Sequence, residues 1–156
     1  MPIGMLVVLD NILNKISKNR AEGKETYIFM DEIYLLFQHE YTSEFLYKLW
    51  KRIRKYGGYC IGITQNVEEL LQSVRASTML SNSEFVVMLS QATSDKEDLS
   101  RLLNMSEEET KYITETSPGE GCIHIEDKNI PFVCHFPTDT KLYKLITTKP
   151  SDKNNK

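Results

Sequence analysis

The chain has 156 residues, of which 40% are hydrophobic and 26% charged, and a formal net charge of −3. This balance is typical of a soluble globular domain and gives no overall excess of positive charge for nucleic-acid binding. Three dispersed cysteines without a CxxC pair indicate neither a disulfide framework nor a zinc site. No apolar run reaches the roughly 20 residues that span a bilayer, so we expect a cytoplasmic protein that can still dock at the inner face of the cell membrane.

The first part of the chain predicts a helix followed by a buried strand. Apolar residues recur at helical spacing from Met5 to Ile16, and a charged stretch that contains Gly23 then predicts a turn. The short apolar run at 27–30 is typical of a strand buried on both faces of a parallel sheet. It leads directly into two adjacent carboxylates, Asp31 and Glu32.

An amphipathic helix with a basic face follows. Ser43 is the expected N-cap of this helix, which ends at Gly57. Its polar face carries four basic side chains: Lys48, Lys51, Arg52 and Lys55. The simplest interpretation is a solvated face, and the alternative is a surface that binds DNA.

A second apolar strand, over residues 59–64, ends in the polar run Thr64-Gln65-Asn66. Asn66 and Glu69 have the spacing of a capping box, so a helix is expected to begin directly after this run. The order of strand, polar tip and helix is therefore the same as after the first strand.

The second half predicts one more strand, two capped helices and a β-hairpin. The strand covers residues 83–90, and the hairpin strands lie at 122–125 and 131–136. The two helices begin with capping-box spacing, Ser94 with Glu97 and Ser106 with Glu109. The polar residues 150–156 predict a disordered tail.

Strands that alternate with helices predict an α/β protein with a mostly parallel sheet, flanked by helices, and an antiparallel β-hairpin at one edge. Such sheets bind ligands at the carboxyl ends of their strands. We therefore expect the polar residues after the first and second strands to lie side by side.

The pair Asp31 and Glu32 fits a Walker B element, in which the first carboxylate holds Mg²⁺, commonly through water, and the second polarises the attacking water. The alternative is a core strand that ends in two solvated acids. Gln65, supported by Thr64, is a candidate sensor of a γ-phosphate, because that role needs a neutral hydrogen-bonding side chain. The alternative is that Thr64 and Asn66 only cap the next helix.

The order of these motifs resembles a known family. Thr-Tyr-Ile-Phe-Met-Asp-Glu at 26–32 is followed by the basic helix, then by Lys-Tyr-Gly-Gly-Tyr-Cys-Ile-Gly-Ile-Thr-Gln-Asn at 55–66, Met-Leu-Ser-Asn-Ser-Glu-Phe at 79–85 and Gly-Glu-Gly-Cys-Ile at 119–123. Over residues 3–148 this order resembles the carboxyl-terminal half of the conjugative-transfer ATPases of type IV secretion systems, in the branch found on Gram-positive conjugative elements. It resembles the hexameric DNA-pumping ATPases more loosely.

The resemblance implies a RecA-like P-loop NTPase fold over residues 1–149, with ATP and Mg²⁺ as cofactors. It also implies partners: neighbouring subunits of a homo-hexameric ring, secretion-system proteins at the membrane, and DNA. Asp31 would bind the metal, Thr64 would help to bind the nucleotide, and Glu32 and Gln65 would act in catalysis.

In that family, basic residues of one subunit approach the phosphates held by the next. The resemblance places Arg54 in this role, for which a permanently charged guanidinium is suited. Arg52 is its neighbour and Arg75 is a second candidate, while a solvated basic face is the alternative for all of them.

One expected motif does not occur, because no GxxxxGK[ST] phosphate loop is present in the 156 residues. In the resembling family this loop lies upstream, so we expect Met1 to be the start of a fragment that is weakly active or inactive alone. The predicted function is that of an ATPase-domain fragment of a conjugation or type IV secretion motor. The alternatives are a non-catalytic assembly module of the secretion complex and a DNA-binding fragment that uses the Lys48–Lys55 face.

Overall fold

The computed structural model describes residues 3–147, so the tail predicted at 150–156 lies outside the described residues. The chain divides into two compact units, Met1–Ser83 and Glu84–Lys156. Within residues 3–147, no helix combines the length and the apolar character that crossing a bilayer requires. The assignment of residues 1–149 to one ATPase domain stays a prediction.

The first unit is built on two parallel strands joined by a helix. Its elements in chain order are α1 (Ile3–Ala21), β1 (Thr26–Met30), a 3₁₀ helix (Ile33–Phe37), α2 (Glu40–Arg52), a second 3₁₀ helix (Ile53–Tyr56), β2 (Gly58–Gly62), α3 (Val67–Leu71) and α4 (Val74–Ser81). The strands pair in parallel from Thr26 opposite Gly58 to Met30 opposite Gly62. Parallel neighbours need a crossover connection, which α2 supplies.

Two apolar clusters hold this unit together. In the first, Ile16 of α1 packs with Leu49 and Ile53, next to Ile28 and Cys60 on the inner face of the strands. The second joins the 3₁₀ helix after β1 to α2, α3 and α4, and its buried members are Ile33, Leu46, Leu70, Ala76 and Met79. The segment that follows β1 is therefore packed into the core.

The outer face of the β1–β2 pair is aromatic and exposed. Tyr27, Phe29 and Tyr59 are 57%, 69% and 43% exposed. The rings of Tyr27 and Tyr59 stack with centroids 4.8 Å apart, and both hydroxyls donate to the Glu25 carboxylate, which raises the pKa of Tyr27. The strands were predicted to be buried on both faces, but only their inner face packs against the core.

The second unit contains an antiparallel sheet. Its elements are β3 (Phe85–Met88), α5 (Thr93–Leu102), α6 (Glu107–Thr114), β4 (Glu120–Ile125), β5 (Lys128–Val133) and α7 (Lys141–Ile146). The predicted hairpin is confirmed as β4 and β5, and β3 pairs antiparallel with β4, with Phe85 opposite Ile125. The α/β class is confirmed, and the parallel pairing described within residues 3–147 is that of β1 with β2.

Two predicted N-caps are wrong. Ser43 lies buried inside α2, because the extended backbone of His39 allows the helix to begin at Glu40, and the Ser43 amide donates to the His39 carbonyl. Likewise, α5 begins after the extended residue Ala92, so Ser94 lies inside the helix and its hydroxyl bonds Asp95. A side chain can act as an N-cap only where the backbone of its own residue is extended, which here is the case at His39 and Ala92.

One predicted capping box is confirmed, and the other forms in part. Asn66 caps α3, because its Oδ1 accepts from the amide of Glu69, but the Glu69 carboxylate accepts from the Asn66 side chain at 2.8 Å and the Asn66 amide donates to the Thr64 hydroxyl. At the start of α6, Ser106 and Glu109 form the reciprocal pair, with the Ser106 amide 2.8 Å from Glu109 Oε2. These caps are local, which explains why residue spacing alone predicts them.

Truncation of the core between α2 and the 3₁₀ helix should destabilise the first unit. Leu46 is 1% exposed, so Leu46→Ala removes buried methyl groups and leaves a cavity, and we expect the free energy of unfolding to fall by about 2–5 kcal/mol. The measurement is urea unfolding followed by circular dichroism. Leu13→Ala, which truncates an exposed leucine of α1, is the control and should change the value by less than about 0.5 kcal/mol.

The Glu109 carboxylate should make the stability of the second unit depend on pH. Hydrogen bonds from the Ser106 amide and the Asn129 side chain lower the pKa of Glu109 below its usual 4.5. A lowered folded-state pKa gives stability that is present above the unfolded-state value and is lost as the pH falls through the folded-state value.

We therefore expect Glu109→Gln to flatten the loss of stability on acidification below pH 4.5. Urea unfolding at a series of pH values measures this slope. Glu108→Gln removes an exposed carboxylate from the same helical turn, and an equal flattening in that variant would contradict the assignment to Glu109.

Candidate functional site

Backbone hydrogen bonds continue the pairing of the first unit beyond the ends of β1 and β2. The Ile63 amide donates to the Met30 carbonyl at 2.8 Å, and the Ile33 amide donates to the Ile63 carbonyl at 3.0 Å. The polar segments that follow the two strands are therefore fixed side by side.

The structure brings Glu32 and Gln65 together at this edge. Gln65 Nε2 donates to Glu32 Oε1 at 3.3 Å, although the two residues are 33 positions apart in the chain. The expectation that these strand ends meet is thus realised in the fold. The catalytic roles of both residues stay predictions.

Glu32 is held in an unfavourable state in two respects. Its backbone is left-handed, with φ 49° and ψ 46°, a conformation that costs a residue with a Cβ about 1 kcal/mol or more. Its Oε2 atom is buried and has no hydrogen-bond partner in the part of the chain that the structure describes. Buried carboxylate oxygens are normally hydrogen-bonded, so this atom is an exception that carries a desolvation cost.

Asp31 and Thr64 lie beside Glu32 and Gln65 in the chain and shape the two loops. Asp31 is exposed, and its Oδ1 accepts from the Glu32 amide at 3.0 Å. The Thr64 hydroxyl accepts from the Asn66 amide at 3.1 Å, and Asn66 caps α3. The capping role predicted for Asn66 is confirmed, and Thr64 supports the loop that carries Gln65.

The base of this site is a close contact between two residues that sequence reasoning missed. A Cβ atom at Gly62, the last residue of β2, would lie 2.7 Å from Ile33 Cδ1. A side chain at this position would therefore require the Ile33 side chain to shift from its place against the end of β2. The sequence pattern that points to this contact is Asp31-Glu32-Ile33, in which an apolar residue directly follows two acids.

The structure does not bring Arg54 to this site. Arg54 lies in the 3₁₀ helix that precedes β2, so the length of that strand, about 15 Å at ~3.3 Å per residue, separates it from the Gln65 end. Arg52 is exposed at the end of α2 on the same side of the strand. Neither residue can reach Glu32 within one chain, and a role on a neighbouring subunit stays a prediction.

Arg75 is held within the first unit. Its guanidinium lies 2.6 Å from the Glu40 carboxylate, which raises the pKa of Arg75 and lowers that of Glu40. This ion pair links the start of α4 to the start of α2 and is partly exposed. A screened surface pair of this kind contributes little stability, and it gives Arg75 a structural partner.

The basic face of α2 is partly neutralised by its own helix. Lys48 pairs with Glu44 at 2.6 Å, and the Lys51 ammonium lies 4.2 Å from the centre of the Tyr47 ring. These contacts favour the solvated-face interpretation over a dedicated DNA surface. The DNA alternative stays a prediction.

The carboxylate oxygens at the strand ends fit Mg²⁺ only if the phosphates of a nucleotide supply further ligands. Within residues 3–147, no group of three or more His, Cys, Asp or Glu side chains could hold a metal ion. Magnesium in phosphate-binding sites commonly takes one or two carboxylates, keeps several waters and shares the substrate phosphates. The exposed carboxylate of Asp31 fits this shared mode.

Open α/β folds bind their ligands at the carboxyl ends of parallel strands, which is where the structure places Glu32 and Gln65. Residues 1–121 match the TraG P-loop domain, and the chain belongs to that family. The family match confirms the predicted relationship to conjugative-transfer and type IV secretion ATPases, while the Gram-positive branch stays a prediction.

Solved structures are also similar, among them that of VirB4 of Thermoanaerobacter pseudethanolicus. It matches with a TM-score of 0.72 and 28% sequence identity, over 83% of this chain and 36% of that chain. The present chain therefore spans about a third of the length of that VirB4. No curated protein matches the chain significantly.

Relief of the two unfavourable features at Glu32 should stabilise the chain. Asparagine tolerates left-handed backbone and does not place a carboxylate oxygen in the buried position, so we expect Glu32→Asn to raise the free energy of unfolding by about 0.5–1 kcal/mol. Glu126, which is exposed and has φ 57°, provides the control, because Glu126→Asn changes only the backbone preference. Urea unfolding of both variants measures the difference, and a loss of stability in Glu32→Asn would contradict this account.

Proposed function

We propose that this chain is the Walker B and sensor part of an ATPase domain that powers conjugative DNA transfer or type IV secretion. The observation that carries the proposal is the Gln65–Glu32 hydrogen bond, which joins the ends of two parallel strands in a member of a P-loop family. The buried, unpaired Oε2 of Glu32 supports it, because this oxygen is already desolvated and positioned before a ligand binds.

Each residue then has a defined task. Asp31 holds Mg²⁺ through water, and Glu32 accepts a proton from the attacking water. Gln65 keeps the Glu32 carboxylate in place in the absence of ligand and donates a hydrogen bond to a phosphate oxygen in its presence. When bound, the nucleotide with Mg²⁺ supplies the transferable phosphoryl group and neutralises its charge.

Two features point to the proposed partners: the absence of a phosphate loop from the 156 residues and the position of Arg54. A phosphate loop must come from another polypeptide segment, because the 156 residues contain none. Arg54 lies at the opposite end of β2 from Glu32, and this placement suits action on the site of a neighbouring ring subunit. We place the assembly in the cytoplasm at the inner face of the membrane.

A second candidate function is that of a non-catalytic assembly module. It is favoured by the exposed aromatic face of β1 and β2, on which Tyr27, Phe29 and Tyr59 are available for packing. In a P-loop family the parallel strands are normally covered on both faces, so this face is suited to contact with another polypeptide. An assembly module would keep this contact and would need neither Glu32 nor Gln65.

Glu32→Gln separates the two candidate functions. In a polypeptide that joins this chain to a segment with a GxxxxGK[ST] loop, we expect the variant to lower the rate of ATP hydrolysis by about 100-fold or more, because the amide cannot accept the proton. The affinity for Mg²⁺-ATP should change by less than about threefold, because the side chain keeps its size and hydrogen-bonding reach. Steady-state phosphate release and equilibrium binding of a fluorescent ATP analogue measure the two quantities.

The control is Glu68→Gln, which changes an exposed glutamate in the first turn of α3. Its turnover should equal that of the wild type. Unchanged turnover in Glu32→Gln, together with intact assembly, would reject the catalytic proposal and support the assembly module.

A further inference from the structure

The backbone pairing of the two parallel strands becomes irregular where the candidate site begins. In a regular parallel ladder, the amide and the carbonyl of one residue bond to residues two positions apart on the neighbouring strand. The Ile63 amide donates to the Met30 carbonyl, whereas the Ile63 carbonyl accepts from the Ile33 amide, so the two partners are three positions apart. One extra residue is therefore inserted after β1, which makes this segment a β-bulge opposite Ile63.

The two adjacent carboxylates form this bulge. A regular ladder would direct the Glu32 amide to the Ile63 carbonyl, but this amide donates instead to Asp31 Oδ1 at 3.0 Å. The backbone of Glu32 is left-handed, with φ 49°, as occurs in several types of bulge. The Asp31 side chain thus satisfies the backbone donor that the bulge removes from the ladder.

Gly62 leaves space for the residue that closes the bulge. A Cβ atom at Gly62 would lie 2.7 Å from Ile33 Cδ1, well inside the usual contact distance between carbon atoms. Ile33 is 5% exposed and packs among core residues, so its side chain cannot move aside freely. A side chain at Gly62 would therefore displace the residue that directly follows Glu32.

The bulge also changes the direction of the side chains beside it. Successive side chains of a regular strand point to opposite faces, and an extra residue re-aims those that follow. In the position that results, Glu32 accepts a hydrogen bond from Gln65 Nε2 and has its second oxygen buried. The geometry of the Glu32 carboxylate therefore depends on the bulge.

We propose that Asp31 and Gly62 are positioning residues for Glu32 and act through this bulge. Asp31 bonds the displaced amide, and Gly62 leaves the space that Ile33 fills. The inference rests on the proposed function, in which Glu32 accepts the proton of the attacking water. It gives Asp31 a task that precedes metal binding, and it gives a residue without a side chain a role in hydrolysis.

Nuclear magnetic resonance of the full 156-residue chain, without nucleotide or metal, tests the positioning directly. The readout is the resonance of the Gln65 side-chain amide, and Glu32→Ala gives its position when the hydrogen bond is lost. We expect Gly62→Ala to shift the resonance more than halfway to this reference. Ile33→Val removes the Cδ1 methyl group, so Gly62→Ala/Ile33→Val should return the resonance to the wild-type position.

Two substitutions test Asp31 with the same readout. Asp31→Asn keeps an oxygen that can accept from the Glu32 amide, so the Gln65 resonance should stay near its wild-type position. Asp31→Ala removes the acceptor, so it should shift the Gln65 resonance towards the reference and speed hydrogen exchange of the Glu32 amide by about fivefold or more. Asp31 is exposed, so these variants test the bulge even if Gly62→Ala does not fold.

Gly58→Ala is the matched control for Gly62→Ala. Gly58 is the first residue of β2, and a Cβ atom there would lie 2.5 Å from Ile53 Cγ1. This substitution therefore presses on a buried isoleucine at the opposite end of the same strand. It should leave the Gln65 resonance at its wild-type position.

The consequence for catalysis is measured in the polypeptide that joins this chain to a segment with a GxxxxGK[ST] loop. Gly62→Ala should lower the turnover number by about tenfold or more, because a small misplacement of a catalytic group has a large effect on rate. The affinity for Mg²⁺-ATP should change by less than about threefold. Addition of Ile33→Val should restore the turnover number to within about threefold of the wild type.

A wild-type Gln65 resonance in Gly62→Ala or in Asp31→Ala would overturn the role of the residue concerned. An equal shift in Gly58→Ala would assign the effect to strain anywhere in β2. If Glu32→Gln abolishes hydrolysis but Gly62→Ala retains full turnover, the positioning role of Gly62 is wrong and the proposed function stands. If Glu32→Gln itself retains full turnover, the proposed function fails, whatever the Gln65 resonance shows.

Discussion

The parallel pairing of β1 with β2 is the constraint on which the candidate site depends. Its register sets Met30 opposite Gly62, and the next backbone hydrogen bonds fix the segments that carry Glu32 and Gln65. Because side chains alternate along a strand, a slip of one residue would turn Ile28 out of the core and separate the two polar strand ends. The apolar packing beneath the strands therefore determines the geometry of the site.

The same packing holds Glu32 in a state that it would not adopt alone. Ile33 is buried in the core and approaches Gly62, and the backbone of the preceding residue, Glu32, lies in the left-handed region. Left-handed backbone and a buried oxygen without a described partner both oppose folding, and such features persist only where the surroundings impose them. Both occur at Glu32, next to Gln65, whereas the neighbouring Asp31 is exposed.

The first unit carries both features on which the proposed function rests. They are the strand-end site and the open aromatic face of β1 and β2. The proposal draws on another polypeptide segment for the phosphate loop and for cover of the aromatic face, because the 156 residues contain no such loop and parallel strands are normally covered on both faces.

By itself, the sequence determined the features that depend on neighbouring residues. These are the apolar strand that ends in Asp31 and Glu32, the β-hairpin, the cap at Asn66 and the capping box of Ser106 with Glu109, because strand propensity, turns and caps act over a few positions. The N-caps assigned to Ser43 and Ser94 were wrong, since residue type does not reveal where the backbone is extended. Only the tertiary structure decided that Gln65 bonds Glu32 and that one oxygen of Glu32 is buried, because both depend on the register of strands far apart in the chain.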